Sequence, residues 1–528
     1  MSERTSELLP FALNTVNADK SDDKLVSFPT SRPGALLFIK EDCPTCREIL
    51  PLLEALQAWL APAVDLHVLG QTEAGNQLLA DRFHPLLDDS GLKVAFAHDI
   101  DTVPTLLAED TAPLVGFVRS EWQAWVEEMA AAHDLQPLSY AWDELPEWRP
   151  GCGSLSADPT HAARLQAESE NSPLRARRIE VGSLDDEFEF MFDQGFSDGL
   201  PLVPPTPERV LRMLGGTQRD PQELIATIPP NMGEATVEKV AINAVMAGCK
   251  PEYLPVVLAS VAAICSDTYN IHGVMATTMG ASPVMVVNGP IRHELGMNMQ
   301  LGALGQGNRA NATIGRAVRL AVRNIGGAHP GGTERSTLGN PMKFSMCFAE
   351  WEERNPWEPL HVERGFSADE SVVTLYTATS GPVLIVDQTS RTAPQLAGSF
   401  GLSLESIFGP KQHYASDTLL VICPEHVDTL IRDGYTKADI RARIQEVTAK
   451  PMESLVEDEV SGTGFKPEFV AARSPEDRAR QIPKFRSVDD IHLVVAGADA
   501  GKFSGAFHGW ATGEIGSISV SESIDAYR

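Results

Sequence analysis

Apolar positions along the chain follow two patterns. Short continuous apolar runs, such as Gly34-Ala35-Leu36-Leu37-Phe38-Ile39, read as buried strands, because a strand covered on both faces has no polar side. Longer stretches with apolar residues three and four apart, such as Arg47 to Leu60, read as helices with one buried face. Between 34 and 135 the order is strand 34–39, helix 44–60, strand 64–69, helix 72–83, strand 93–97, strands 105–107 and 113–118, and helix 120–133. Residues 1–30 are polar and read as a flexible lead-in. Residues 138–185 hold Pro146, Pro150, Gly151, Gly153, Pro159 and Pro173 and a polar run at 167–172, the composition of a linker.

The alternation then resumes. Thr206 and Pro207 suit the cap and first turn of a helix ending at Leu214. Helices are predicted from Thr236 to Gly248 and from Pro251 to Cys265, and a strand at 283–287. A Gly/Asn-rich loop, 302–311, leads into a helix over 312–324. Strands at 382–387, 418–423 and 491–496 alternate with helices at 424–432 and 437–447 and one around 393–399. The expected class is α/β, with domains at 31–137, 186–375 (helix-rich) and 376–528, the last either separate from the 186–375 block or continuous with it.

Composition narrows the function. A chain of 528 residues is too long for one core. A net charge of −29 opposes binding to nucleic acid or to an anionic membrane. No apolar run approaches the roughly 20 residues that span a bilayer, and the start, Met1-Ser2-Glu3-Arg4, lacks a signal-peptide pattern. The seven cysteines (43, 46, 152, 249, 265, 347, 423) include one close pair, a reduced, cytoplasmic pattern rather than a disulfide framework.

That pair carries the chemistry. Cys43-Pro44-Thr45-Cys46 lies at a strand-to-helix junction, which puts Cys43 at a helix N-terminus, where N–H groups and the helix dipole favour a thiolate. Cys43 is then the attacking thiol and Cys46 the resolving one. A zinc site would need a second Cys or His pair, which the sequence lacks. The adjacent Glu41 and Asp42 are expected to oppose the thiolate and make the pair a reductant rather than an oxidant. Cys152, between Gly151 and Gly153, reads as an exposed, mobile thiol. Cys249 lies beside Lys250 and ahead of the helix at Pro251; it is either an activated thiol or a small buried one. A Cys152–Cys249 disulfide would be a target for Cys43. Cys265, Cys347 and Cys423 read as core.

Two further groups stand out. Asn308, Arg309, Asn311 and Arg316, with Arg319 and Arg323 along the same helix, suit a carboxylate or phosphate. Glu350, Glu352, Glu353 and His361 surround Trp351 and Trp357; with Glu234 and His272 they offer acid/base groups, at a spacing that fits no specific metal motif. No cofactor is predicted; an external dithiol would reset the cysteine pair.

With Val103-Pro104-Thr105 just before strand 106–107, the first domain resembles a thioredoxin-fold domain. The resemblance implies that Pro104 is a cis-proline facing the dithiol and that its flanking backbone docks a partner chain. The spacing of 61 residues from Cys43 to Pro104 implies an insertion near 70–95. Residues 186–510, through phrases such as Asp198-Gly199-Leu200-Pro201, Met246-Ala247-Gly248-Cys249 and Asn308-Arg309-Ala310-Asn311, resemble a bacterial family associated with thioredoxin-like selenoproteins carrying a Sec-Gly-Ser-Cys motif. That resemblance implies a thiol context and a selenoprotein partner. The resulting expectation is an N-terminal thioredoxin-like domain fused to a larger mixed α/β module. In it the Cys43/Cys46 dithiol reduces a disulfide or cysteine adduct on that module during turnover of a small molecule. The alternatives are a non-redox lyase or hydrolase of a small anion with a maintenance reductase attached, or a redox-regulated binding protein; a homo-oligomer is compatible with each.

Overall fold

The structure is a computed structural model that describes residues 8–16, 24–179, 181–182, 186–513 and 516–528. Residues 1–7 and 17–23 of the expected lead-in, and 180 and 183–185 of the expected linker, lie outside the described residues. The chain divides into two compact units, Met1–Ile179 and Glu180–Arg528.

In the first unit, strands β1 (Phe11–Asn14) and β2 (Leu25–Phe28) pair within the expected lead-in, with the Phe11 and Phe28 rings stacked at 5.4 Å. Then come β3 (Gly34–Ile39), helix α1 (Pro44–Leu60), β4 (Asp65–Gly70), α2 (Glu73–Leu79), β5 (Leu86–Asp88), α3 (Lys93–Ala97), β6 (Thr102–Val103), β7 (Thr105–Ala108), β8 (Leu114–Val115), β9 (Phe117–Val118) and α4 (Arg119–Ala132). The five-stranded sheet has the order β5-β4-β3-β7-β8; β3, β4 and β5 run parallel and β7 antiparallel to β3. Every residue of β3 is buried, as its continuous apolar run requires. Ile49, Leu52, Leu53, Leu56 and Leu60 of α1 join the same core.

Two local expectations differ. Residues 93–97 form a helix instead of a strand, because the Asp89 carboxylate accepts the N–H groups of Val94 (3.1 Å) and Ala95 (2.8 Å) and caps that first turn. The strand falls earlier, at β5. The stretch read as a linker supplies β10 (Trp148–Arg149), β11 (Cys152–Gly153) and α5 (Pro159–Ser169); β10 pairs with β9, β11 pairs with β6, and Leu145, Leu165 and Leu174 are buried. Of its glycines, Gly151 sits where a Cβ would meet Thr102 and Val103.

The second unit is built on one seven-stranded sheet. Its order is Cys347–Ala349, Ser282–Asn288, Val372–Val386, Phe503–Ala511, Ser416–Ile422, Ile491–Val495, with Val520–Ser523 also paired to Val372–Val386. Strands from 186–375 and from 376–528 therefore share one sheet. Strand 416–422 shows why both faces are covered: Leu420 and Ile422 enter a cluster with helices Ala393–Leu404, Pro424–Arg432 and Lys437–Thr448, while Leu419 and Val421 point to the opposite cluster with Phe348 and Phe507. Helix Val237–Ala247 starts at Thr236, whose side chain caps Lys239 N–H, and ends at Gly248, where φ is 91°.

Helix Arg309–Asn324 begins three residues earlier than its pattern suggested, since Asn308 rather than Ala312 starts it: its side chain accepts Asn311 N–H at 3.0 Å. Its arginines are tied into the fold. Arg316 grips Asp198 through two bonds of 2.9 and 2.8 Å, and Arg319 shares Glu334 with Lys343, at 3.2 and 2.6 Å. All three members of the Glu334 triad are largely buried, and Glu334→Ala would leave two cations without their counter-charge. Glu334→Ala is expected to destabilise the second unit by about 3–5 kcal/mol, measured by denaturant unfolding of the full chain.

Candidate functional site

Strand β3 ends at Ile39, and a tight turn brings Cys43 to the start of α1. Cys43 is the N-cap residue, and its Sγ accepts the Cys46 N–H at 3.5 Å. On the other side the Cys43 thiol donates to Val103 O at 3.4 Å, and the Val103–Pro104 peptide is cis. Cys43 is only 1% exposed and Cys46 3%.

A third cysteine completes the site. In the β6–β11 pairing Cys152 stands opposite Val103, the residue whose carbonyl bonds Cys43, which brings the Cys152 thiol to the same backbone edge as Cys43. Gly151 permits this approach: a Cβ there would lie 2.1 Å from Thr102 Cγ2 and 2.7 Å from Val103 O. The pairing with β6, which Gly151 permits, places Cys152 in a strand, where an exposed, mobile thiol was expected.

These contacts set the electrostatics. The Cys43 thiol is lowered to about 5, first by the hydrogen bond from the Cys46 side chain, against the opposing effect of burial, and then by Cys152 and the N–H groups of Cys46 and Thr45. Cys46 moves the other way, because its proton is held in the bond to Cys43 and because it is buried. Cys152 is also raised, by burial and by its bond to Cys43. The expected opposition from Glu41 and Asp42 does not prevail. The Glu41 carboxylate is engaged by Thr72 Oγ1 at 2.9 Å, and Asp42 pairs with Lys40 at 3.4 Å. A stabilised thiolate is the attacking species in disulfide exchange, so the site keeps its nucleophile charged despite the two acids beside it.

Of the two readings of Cys249, the structure favours the small buried thiol. It is buried in the second unit, its thiol donates to Thr313 O at 3.4 Å, and burial pushes it up to about 12 despite Arg309 and Arg316 nearby. Lys250 and the following helix do not activate it. The proposed Cys152–Cys249 disulfide would have to break that packing, whereas Cys152 already has a thiol partner in its own unit. Cys347 and Cys423 are buried, and burial raises the thiols of Cys265, Cys347 and Cys423.

The second unit has its own cleft, of about 680 Å³, lined by His293, Asn298, Gln300, Asn308, Trp351 and Glu353 among others. His293, Trp351 and Glu353 follow the carboxyl ends of strands 282–288 and 347–349, where α/β sheets commonly bind ligands. Of the predicted anion-binding group, only Asn308 lines the cleft. Arg309 donates to Gly248 O at 2.9 Å, Asn311 bonds the backbone of Asn298 and Ala303, and Arg316 is held by Asp198. Of the predicted acid/base group, Glu350 is fully buried and receives Asn288, Asn355 and the Leu360 N–H. His361 is fully buried, 4.0 Å from Glu352. Glu234 and His272 are exposed and do not line the cleft.

The sequence reading missed Arg292 and His293. Arg292 bonds Glu352 at 3.0 Å and Glu353 at 3.1 Å, and His293 bonds Glu353 at 2.8 Å. Burial works against the Glu353 charge, but these bonds hold its carboxyl down to about 2. The available signal was the turn Asn288-Gly289-Pro290 after a strand, followed at once by two basic side chains. Among the described residues no three His, Cys, Asp or Glu side chains form a metal-binding group, and no helix is long and apolar enough to cross a membrane.

The sheet order of the first unit, with its dithiol at the start of α1 and its cis-proline facing it, defines a thioredoxin-like domain. No known protein family matches the chain, and no curated protein matches it in sequence. Solved structures do match. One is a candidate thiol:disulfide interchange protein, DsbE, from Chlorobium tepidum (19% identity, 25% of this chain, 98% of that one, TM-score 0.21). Another is StoA from Bacillus subtilis (20%, 23% and 98%, TM-score 0.19). A third is a secreted Mycobacterium tuberculosis disulfide oxidoreductase (17%, 23% and 95%, TM-score 0.19).

The lowered thiol sets a pH dependence. Ultraviolet absorbance of the reduced protein should show a thiolate appearing near pH 5 that is absent in Cys43→Ala. In Cys46→Ala the ionisation should move up, towards the ordinary value of 9.0. Because folding lowers this thiol, its ionisation stabilises the reduced fold fully above about pH 9 and loses that effect as pH falls through 5. The stability difference between wild type and Cys43→Ala should therefore shrink over that interval.

Proposed function

We propose that the chain is a thiol–disulfide oxidoreductase whose chemistry is centred on Cys43. The observation that carries this reading is the geometry of the pair: Cys43 caps α1, its Sγ accepts the Cys46 N–H, and it faces the cis Val103–Pro104 peptide. The Cys43 thiolate attacks one sulfur of a disulfide, the S–S bond breaks, and the departing sulfur takes a proton. Cys46 then gives up its proton and attacks Cys43 Sγ, which releases the second sulfur as a thiol and leaves a Cys43–Cys46 disulfide. A dithiol supplied from outside returns the pair to its reduced state.

The target is taken to be a disulfide or thiol adduct brought by a partner. Burial of Cys249, Cys347 and Cys423 weighs against a target on the larger module. A cytoplasmic site of action and a thioredoxin-like selenoprotein as redox partner belong to this proposal. The second unit is proposed to bind a small polar molecule in the cleft beside Glu353 and His293, a reading supported by the cleft's size and its polar lining.

Reduction of insulin disulfides with dithiothreitol as electron donor tests the redox reading. Cys43→Ser should lose the activity, and the Cys46→Ser/Cys152→Ser double variant, which lacks both neighbouring thiols, should accumulate a mixed disulfide with insulin. Full turnover in Cys43→Ser would overturn it.

A further inference from the structure

The nucleophile of an exchange enzyme has to meet another molecule's disulfide, yet Cys43 is 1% exposed. Part of its cover is residues 148–154, which are fixed on both sides of the dithiol. Arg149 forms a two-pronged pair with Glu48, at 2.7 and 3.2 Å. Thr45, between the two cysteines, donates to Pro150 O at 2.5 Å, and Lys40 donates to Gly153 O at 3.3 Å. Trp148 and Arg149 pair with β9, and Cys152 and Gly153 pair with β6. The segment thus adds a strand at the backbone edge beside Cys43 and delivers a sulfur to it, the two things an extended disulfide-bearing peptide would do there.

We propose that residues 148–154 are a built-in substrate strap and that Cys152 is a third redox thiol, exchanging with the Cys43–Cys46 disulfide to give Cys43–Cys152. The inference rests on the thiol-exchange reading above. In the exchange, Cys152 loses its proton to solvent and its thiolate attacks Cys43 Sγ. The Cys43–Cys46 bond breaks as Cys43–Cys152 forms, and Cys46 leaves and takes up a proton. One disulfide replaces another, so no oxidant or reductant is consumed. A partner's disulfide reaches Cys43 only after the strap has left β6. The strap's ion pair is half-exposed, which makes that release easy compared with unpacking the core.

Disulfide mapping of the full chain tests this. Cys46→Ser treated with oxidised glutathione and digested without reductant should yield the peptide of Cys43 joined to that of Cys152. A glutathione adduct on Cys43, with Cys152 free to alkylate, would overturn the exchange while leaving Cys43 an active nucleophile. A Cys43 that forms neither product would overturn the thiol-exchange reading and this inference together. Gly151→Val, whose side chain would meet Thr102 and Val103, should detach the strap and speed alkylation of Cys43 by iodoacetamide at least about tenfold, because access follows the open fraction. Arg149→Ala, which removes only the pair with Glu48, should act in the same direction. Unchanged rates in both would overturn the strap.

Discussion

A buried sulfur carries a charge only where hydrogen-bond donors face it, and the first unit is organised around meeting that condition at Cys43. Burial alone would raise this thiol, as it does in the second unit. The balance reverses because several donors converge from separate parts of the chain. Strand β3 delivers the turn, α1 supplies N–H groups and the Cys46 thiol, and the strand at 152–153 supplies a second thiol. Val103 fixes the spacing, since its carbonyl meets Cys43 while its backbone pairs with Cys152. The core of β3, β4 and α1 holds these pieces in register, so the packing and the acidity of one sulfur are the same arrangement seen at two scales.

What could be read from the sequence follows from how local its causes are. The apolar run of β3, the cap at Thr236 and the stop at Gly248 depend on neighbours a few residues away, and the pattern showed them. The helix at 93–97 was misread because its deciding group, the Asp89 carboxylate, lies outside the apolar stretch it caps. The stretch around Cys152 was harder still. Pro150, Gly151 and Gly153 look the same in a flexible linker and in a strand pressed against another backbone, and only the partner strand 50 residues earlier tells them apart. The seven-stranded sheet poses the same difficulty, for its strands were visible singly but their order was not.

The second unit shows that charge placement also depends on partners remote in sequence. A row of arginines behind a glycine-rich loop has the composition of an anion site. Here Asp198, 118 residues earlier, and Glu334, beyond the helix's end, neutralise Arg316 and Arg319. The cleft draws instead on Arg292 and His293, which hold Glu353 ionised at its edge. A carboxylate fixed in this way is a poor proton acceptor at neutral pH and a good hydrogen-bond acceptor, which suits positioning a polar ligand better than general-base work.

The chain contains its own control for the acidity of Cys43. Three cysteines stand at or just before a proline-started helical turn: Cys43 before Pro44, Cys249 two residues before Pro251, and Cys423 before Pro424. Cys423 even caps its helix with extended backbone, as Cys43 does, at φ −72° in both. Yet burial raises Cys423 and Cys249, and only Cys43 is lowered. Cys423 shares the α-helix N-cap position with Cys43, so that position alone does not account for the difference between those two. Cys423 has one hydroxyl donor, from Ser504 at 3.7 Å, and Cys249 has the Thr313 side chain, and burial prevails over each. Cys43 has two thiols facing it. The two neighbouring sulfurs, added to the N–H groups of α1, set this thiol apart from the others in the chain.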